Sequence, residues 1–380
     1  MEVHPPLAIV GLGALSALGE DLASHRTAIL AGDIPFEKLA ALLGSHSPYA
    51  HRYAAWIGQR SLLTNRKWSP ATMAALHVAR QAITQAGWGT DDLKDAALIL
   101  GTSRGNAAGW LGPWPGRRPF KVMAASNTIH SEPASAITIE FGITGPNQVL
   151  ASGCAAGLDA IGMAMLMVNS GLAPRALAVA VDLPLVPILL DNYTSSQLLS
   201  DQSMLDPYHP QTSGFIPGEG AAAMAIERKP GNYTRLVHYG CNSDACDPVG
   251  IPASGGRTSE LLAKAVQQCG LPTAVSPHAT GTQVQAVADP AALAKAFGKS
   301  LPRLHLFKPY VGHTIGASGL LESVILAEFL KGQQLPPNLL NLSVPIGFLL
   351  PAQVLDHRGL VYKLSHGMGG HNALLVLSTP

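Results

Sequence analysis

Short apolar runs alternate with longer segments of helical period from one end of the chain to the other. That is the pattern of an α/β protein whose strands are covered on both faces. Strands are predicted at residues 7–10, 97–100, 148–151, 176–181, 221–226, 235–239, 304–307 and 373–377, with a short one at 274–276. The clearest helix covers 69–86, where Ser69 can cap, Pro70 suits the first turn and Gly87 ends the pattern; it is expected on a surface. Segment 155–169 differs. Leu158, Ile161, Met165 and Val168 share one face while Met163, Leu166 and Met167 make the others apolar, so this helix is expected to be central and buried. A further helix is predicted from Gly316 to Lys331, stopped by Gly332. The polar Pro/Gly stretch 227–233 (ERKPGNY) divides the chain into halves 1–228 and 229–380.

Composition narrows the class. Of 380 residues 47% are apolar and 13% charged, which excludes a disordered chain. Lys and Arg number 25 against 24 Asp and Glu, a net charge of +1 that gives no field for a nucleic-acid backbone. Four cysteines are too few for a disulfide scaffold and point to reduced thiols. The N-terminal apolar run has no basic region before it, and the most apolar later stretch, 176–190, is broken by Asp182, Pro184 and Pro187 short of the about 18 residues a membrane span needs. A cytoplasmic protein without membrane or nucleic-acid partner is expected.

Chemistry concentrates in ASGCAAGLDAIG, residues 151–162. A strand leads through Ser152 and Gly153 into Cys154 at the mouth of the buried helix. A thiol at a helix N-terminus sits at the positive end of the dipole, which lowers its pKa toward the nucleophilic thiolate; a buried, inert cysteine is the alternative. Among fourteen histidines, His278 and His313 each follow an apolar strand and lie beside Gly/Thr-rich turns (PHATGT and KPYVGH), where open α/β sheets place ligands. Near the end, residues 367–372 (GMGGHN) put glycines where backbone N–H groups approach a bound atom, or form an ordinary turn.

Other motifs carry less. Residues 101–105 (GTSRG) fit a nucleophile elbow around Ser103, but 106–113 make a poor helix, which the elbow requires. Gly11 to Ser16 (GLGALS) lacks the third glycine of a nicotinamide-binding turn. His238, Cys241, Asp244 and Cys246 match no zinc spacing.

Taken together, AIVGLGALSALG, GTSRG, FGITGPN, SGCAAG, GFIPGEGAA, HATGT, KPYVGHTIGASGLLE, LPPNLLNL and GMGGHNA make the chain resemble the β-ketoacyl synthase branch of the thiolase superfamily over nearly its whole length. The resemblance implies a thiolase fold: two similar βαβαβαββ-type halves in αβαβα layers, the first carrying the cysteine and the second both histidines. It implies that Cys154 accepts an acyl chain from a carrier thioester. His278 and His313 would bind the extender carbonyl and support loss of carbon dioxide. Backbone N–H groups of Cys154 and Met368 would form the oxyanion hole, Lys308 and Glu322 a supporting buried pair, and Thr280, Thr282, Met368 and His371 the pantetheine and substrate contacts. No metal or other bound cofactor is implied, only substrates on the phosphopantetheine of an acyl carrier protein.

Several positions depart from that family's pattern. A glycine is replaced by Ala279, an acidic residue by Ala286 with Asp289 as its stand-in, the gating phenylalanine by Met368 and a threonine by His371; His209, Thr212 and Ser213 stand where Asp and Arg are usual. The segments around 105–120 and 227–255 are short. These changes suggest specialised, polyketide-like metabolism. The alternatives are an acyltransferase or cyclising enzyme that uses the acyl-Cys without extension, and a chain-length-shaping partner subunit. An acidic acyl carrier protein is the expected partner, with Arg60, Arg66 and Lys67, and Arg117, Arg118 and Lys121, as candidate basic patches. A homodimer, or a heterodimer with a related subunit, is also implied.

Overall fold

The computed structural model describes residues 6–106 and 126–380, so Arg117, Arg118 and Lys121 lie outside the described residues. Its main sheet joins two sets of strands. The first holds β1 (Leu7–Ser16), β2 (Ala97–Gly101), β3 (Asn147–Leu150), β4 (Arg175–Asp182) and β5 (Gly220–Arg228). The second holds β6 (Arg235–Ser243), β7 (Ala274–Ser276), β8 (Arg303–Leu304), β9 (Leu360–Gly367) and β10 (His371–Ser378). Their order across the sheet is β3-β2-β4-β5-β1-β6-β10-β9-β7-β8. Each set therefore repeats one plan, with its third strand outermost, then second, fourth, fifth and first. The sets meet through their first strands, where Ala8 pairs with Arg235 and the Ile9 N–H donates to Thr234 O at 3.0 Å.

Helices supply the other layers. Ala156–Asn169 and Ser318–Lys331 pack on each other and on strands of both sets, which puts them in the middle. Pro70–Ala86 and Glu132–Phe141 cover the outer side of the first set; Gly256–Cys269, with Gln283–Phe297 packed on it, covers the second. The result is the expected αβαβα arrangement of two like halves. Ala156–Asn169 is central, as its all-round apolar pattern required.

Some elements differ from the sequence reading. β1 extends to Ser16 because its glycines are packing positions: a Cβ at Gly11 would lie 2.0 Å from Ala82 O, and one at Gly13 2.2 Å from Val78 O. Pro70–Ala86, expected on a surface, therefore buries Ala74, Ala75, Val78, Ala79 and Ala82 against the sheet. Its cap is as read, with Ser69 accepting from the Thr72 N–H and Gly87 left-handed at φ +70°. The strand expected at 304–307 is only Arg303–Leu304, since the chain turns at once into the short helix Lys308–Val311. β9 went unread because Lys363, Ser365 and His366 interrupt its apolar run, yet all three are buried. Among the described residues no helix is long and apolar enough to cross a membrane.

Candidate active site

Cys154 sits in a 3-10 turn, Gly153–Ala155, between β3 and the central Ala156–Asn169 helix. That turn rests directly on the link between β9 and β10. A Cβ on Gly367 would meet Ser152 O at 2.6 Å and Cys154 N at 3.4 Å, while one on Gly153 (φ +62°) would meet Met368 N at 3.7 Å. Only glycines allow this approach, and it brings the main-chain nitrogens of Cys154 and Met368 to one place. Ser365 Oγ fixes the turn from below by donating to Cys154 O at 3.1 Å.

His313 Nε2 lies 3.2 Å from Cys154 Sγ. The His278 ring stands edge-on to His313, with centroids 5.4 Å apart, and Phe215 packs edge-on against the other side of His313 at 5.0 Å. Cys154, both histidines, Thr280, Thr282 and Met368 line one pocket of about 150 Å³. His371 does not; it is exposed at the start of β10.

Burial sets the protonation of this group. It holds both histidines well below their ordinary pKa, with the Lys308 charge adding to the effect, so each ring is neutral. Burial also pushes the Cys154 thiol up to about 12, against the lowering influence of Lys308. This corrects the expectation of a stored thiolate: desolvation outweighs the helix terminus, and Cys154 rests as a thiol.

Beneath the pocket lies a charged layer. Lys308 Nζ donates to Glu322 Oε1 at 2.8 Å and to His278 O at 2.6 Å. Lys363, unread in the sequence, takes the other oxygen, Oε2, at 2.6 Å, and donates to Pro277 O and Leu364 O. Two ammonium groups thus share one carboxylate, all at most 1% exposed. Behind Cys154, the Asp182 carboxylate receives Thr102 Oγ1, the Ser103 and Arg104 N–H groups and the Gly316 N–H at 2.8–3.1 Å. Those bonds tie loop 102–104 to the next residue after Ile315, a β-branched residue held at φ +50° in the pocket wall. The Ser103 amide is thereby occupied in holding a loop.

A third histidine completes the wall. His366 packs against His278 with centroids 5.4 Å apart. Gln285 Nε2 donates to His366 Nδ1 at 2.9 Å, which leaves the ring proton on Nε2, 3.3 Å from Thr258 Oγ1. Gln285 also donates to Asp289, whose other oxygen accepts the Ala279 N–H at 2.8 Å. Asp289 thus holds the His278 loop through the Ala279 amide. The only sequence signal for His366 was its place one residue before GMGG. Thr212 is engaged too, donating to Gly281 O at 2.5 Å. Arg60 pairs with the buried Glu219, which removes it from the basic patch expected with Arg66 and Lys67. Cys241 and Cys246 are exposed, and among the described residues no group of three or more His, Cys, Asp or Glu is placed to hold a metal.

Comparison with known proteins gives consistent matches. The family described as beta-ketoacyl synthase, N-terminal domain, matches residues 4–231, and its C-terminal domain matches 233–342. A 3-oxoacyl-[acyl-carrier-protein] synthase 2 of Staphylococcus aureus (strain COL) is 24% identical, with 99% of each chain covered. The Rhizobium meliloti (strain 1021) protein of the same name is 26% identical over 82% of this chain and 81% of its own. Among solved structures, a type II PKS ketosynthase in complex with its acyl-carrier protein, bound to a hexaketide, superposes with TM-score 0.85 at 22% identity, covering 99% of this chain and 100% of that one. The ishigamide ketosynthase/chain length factor superposes with TM-score 0.86 at 20% identity over the full length of both.

Proposed function

The chain belongs to the β-ketoacyl synthase family, and from that premise we propose that it is a condensing enzyme acting through Cys154, His278 and His313. The observation that carries the reading is the 3.2 Å contact between Cys154 Sγ and a neutral, buried His313 Nε2, with the second neutral imidazole beside it. Cys154 Sγ attacks the carbonyl carbon of an acyl thioester while its proton passes by way of His313 Nε2 to the departing carrier thiol. Moving the proton during attack removes the need for a resting thiolate. The Cys154 and Met368 amides stabilise the oxyanion.

In the second step a malonyl-type thioester enters. Its carboxylate leaves as carbon dioxide, and the electron pair becomes an enolate whose oxygen accepts hydrogen bonds from His278 and, once its ring proton has moved from Nδ1 to Nε2, from His313. The enolate carbon attacks the acyl-Cys154 carbonyl; the carbon–carbon bond forms, the carbon–sulfur bond breaks, and the thiolate takes up one proton. Neutral rings suit this step because they donate a hydrogen bond without protonating the enolate early. Lys308 positions His278 through its main-chain oxygen, and Glu322 and Lys363 hold Lys308 in place. Thr280, Thr282 and Met368 line the route for the pantetheine arm; His371, outside the pocket, is left with a role at its rim. The condensation consumes one proton, which solvent supplies to the Cys154 thiolate; the remaining bonds balance with side chains and thioesters alone.

The reading includes delivery by an acyl carrier protein, a homodimer or related heterodimer, a division of labour at 228/229 and a cytoplasmic location, to which four free cysteines are suited. The departures at Ala279, Met368 and His371 favour a polyketide-like chain over an ordinary fatty acid. Incubation with acyl and malonyl carrier thioesters tests it. Wild type gains the acyl mass on the Cys154 peptide and releases a chain two carbons longer; Cys154→Ala does neither. His278→Ala acylates but decarboxylates at least 100-fold more slowly, in the range of a lost acid–base or oxyanion group. Acylation without a longer product would instead assign an acyltransferase or cyclising enzyme; no acylation would leave a chain-length-shaping subunit.

A further inference from the structure

The apolar end of the pocket holds one polar group that condensation does not use, Tyr193, with Arg104 behind it outside the lining. Tyr193, on the helix Pro187–Ser195, is 2% exposed, lines the pocket and packs edge-on against Phe215 at 5.4 Å. Phe215 in turn touches His313, so Tyr193 stands two ring contacts from the reacting centre. Its hydroxyl is buried with no acceptor for its proton, the neighbouring Arg104 guanidinium being a donor only, and Arg104 Nε is likewise buried and unpaired. The Arg104 guanidinium lies beside that hydroxyl, its charge opposing the hold that burial gives the phenolic proton. Asp182 makes no side-chain bond to Arg104, since its carboxylate is filled by Thr102 Oγ1 and the Ser103, Arg104 and Gly316 amides. Residues 107–125, which follow directly, contain no Asp or Glu.

A buried donor with no acceptor is costly, and such groups persist where a ligand brings the acceptor. Leu198, Phe215 and Ile315 make the rest of that wall apolar. Resting on the acyl-enzyme reading above, we propose that Tyr193, backed by Arg104, is a specificity-determining donor for an oxygen on the acyl chain, so that the chain seated on Cys154 is oxo-acyl and not saturated. The Tyr193 hydroxyl donates to the chain carbonyl, and the adjacent guanidinium polarises it. A saturated chain of equal length leaves the donor unpaired in an apolar wall, the situation in which hydrogen-bonding sites reject their isosteres.

The test compares octanoyl, 3-oxooctanoyl and 5-oxooctanoyl pantetheine thioesters as acyl donors, with Cys154 acylation rates read by intact mass. In wild type one oxo chain reacts faster than octanoyl. Tyr193→Phe lowers that oxo-to-saturated rate ratio about tenfold, and Arg104→Met lowers it by a smaller factor. Taking the ratio cancels the intrinsic reactivity of each thioester. Ratios within twofold of wild type in Tyr193→Phe, for both oxo positions, would overturn the proposal and leave a water as the hydroxyl's partner. If no thioester acylates Cys154, the condensing reading fails separately. The same compounds are then scored for protecting Cys154 from iodoacetamide, where Tyr193-dependent protection by an oxo chain supports the donor and equal protection overturns it.

Discussion

A histidine buried beside ammonium groups gives up its proton long before one in water does. His366 shows this directly: burial first, then the Lys363 and Lys308 charges, bring it down to about 3, and His278 and His313 are lowered by the same causes. Because the folded value lies below the unfolded one near 6.5, the unfolded chain takes up the proton first as pH falls. Each such ring therefore removes stability through that window, at up to about 1.4 kcal/mol per pH unit. Asp182 and Asp289, raised to about 6 by burial, and Glu219, also raised, act in the opposite sense as pH falls, but they are three against the seven histidines held low, His25, His238, His278, His305, His313, His357 and His366. The melting temperature should fall from pH 6.5 to 4.5, and His366→Phe should flatten that fall by about one proton's worth. Equal slopes in variant and wild type would show that His366 is not held neutral in the fold. No such cue was legible at this position, since proximity to two lysines arises only when β9 and the Lys308 turn meet in space.

At the scale of elements, the site depends on how closely two central helices approach. Gly157, in the first turn of Ala156–Asn169, faces the start of Ser318–Lys331: a Cβ there would lie 2.7 Å from Leu320 N and 2.9 Å from Gly316 O. Both obstacles are backbone and cannot rotate away. Gly157→Ala should cost about 1–3 kcal/mol and shift the adjacent Cys154 turn, seen as a lower melting temperature and slower acylation together. The same helix carries Glu322, which bridges Lys308 and β9. Glu322→Gln leaves two buried ammonium groups without a counter-charge and should cost about 3–5 kcal/mol, more than Lys363→Met, which keeps the Lys308–Glu322 pair; relative melting temperatures decide the order. Legibility divides along the same line. The Cys154 helix and the His278 and His313 turns were readable because periodicity and turn chemistry are local. β9, the second lysine and the lowered histidines were not, because a buried polar strand has no one-dimensional signature and desolvation is a property of the assembled layers.

At the scale of the whole molecule, the sheet ends unevenly. At one edge β8 has two residues; at the other β3 has four, hydrogen-bonded among the described residues only to β2, with Asn147 and Gln148 exposed. Beside it the Glu132–Phe141 helix shows Ile139 at 65% exposure. An unpaired edge flanked by exposed apolar surface is a template for another strand, and monomeric proteins usually blunt such edges with charge, which Asn147–Leu150 lacks. The chain that leaves this edge goes straight into the Cys154 turn, so covering the edge also braces the nucleophile. A two-fold pairing of β3 with its own copy would satisfy both needs, and it is the geometry a homodimer of this chain should take. In such a symmetric interface any charge placed near the axis meets itself. Light scattering should therefore give twice 39.5 kDa for wild type and 39.5 kDa for the double variant Ile139→Lys, Gln148→Lys, with circular dichroism unchanged because both side chains are exposed. Acylation of Cys154 should slow in the variant as its turn loses support. A wild-type mass of 39.5 kDa would exclude this homodimer, and a doubled mass retained by the variant would exclude β3 from the contact.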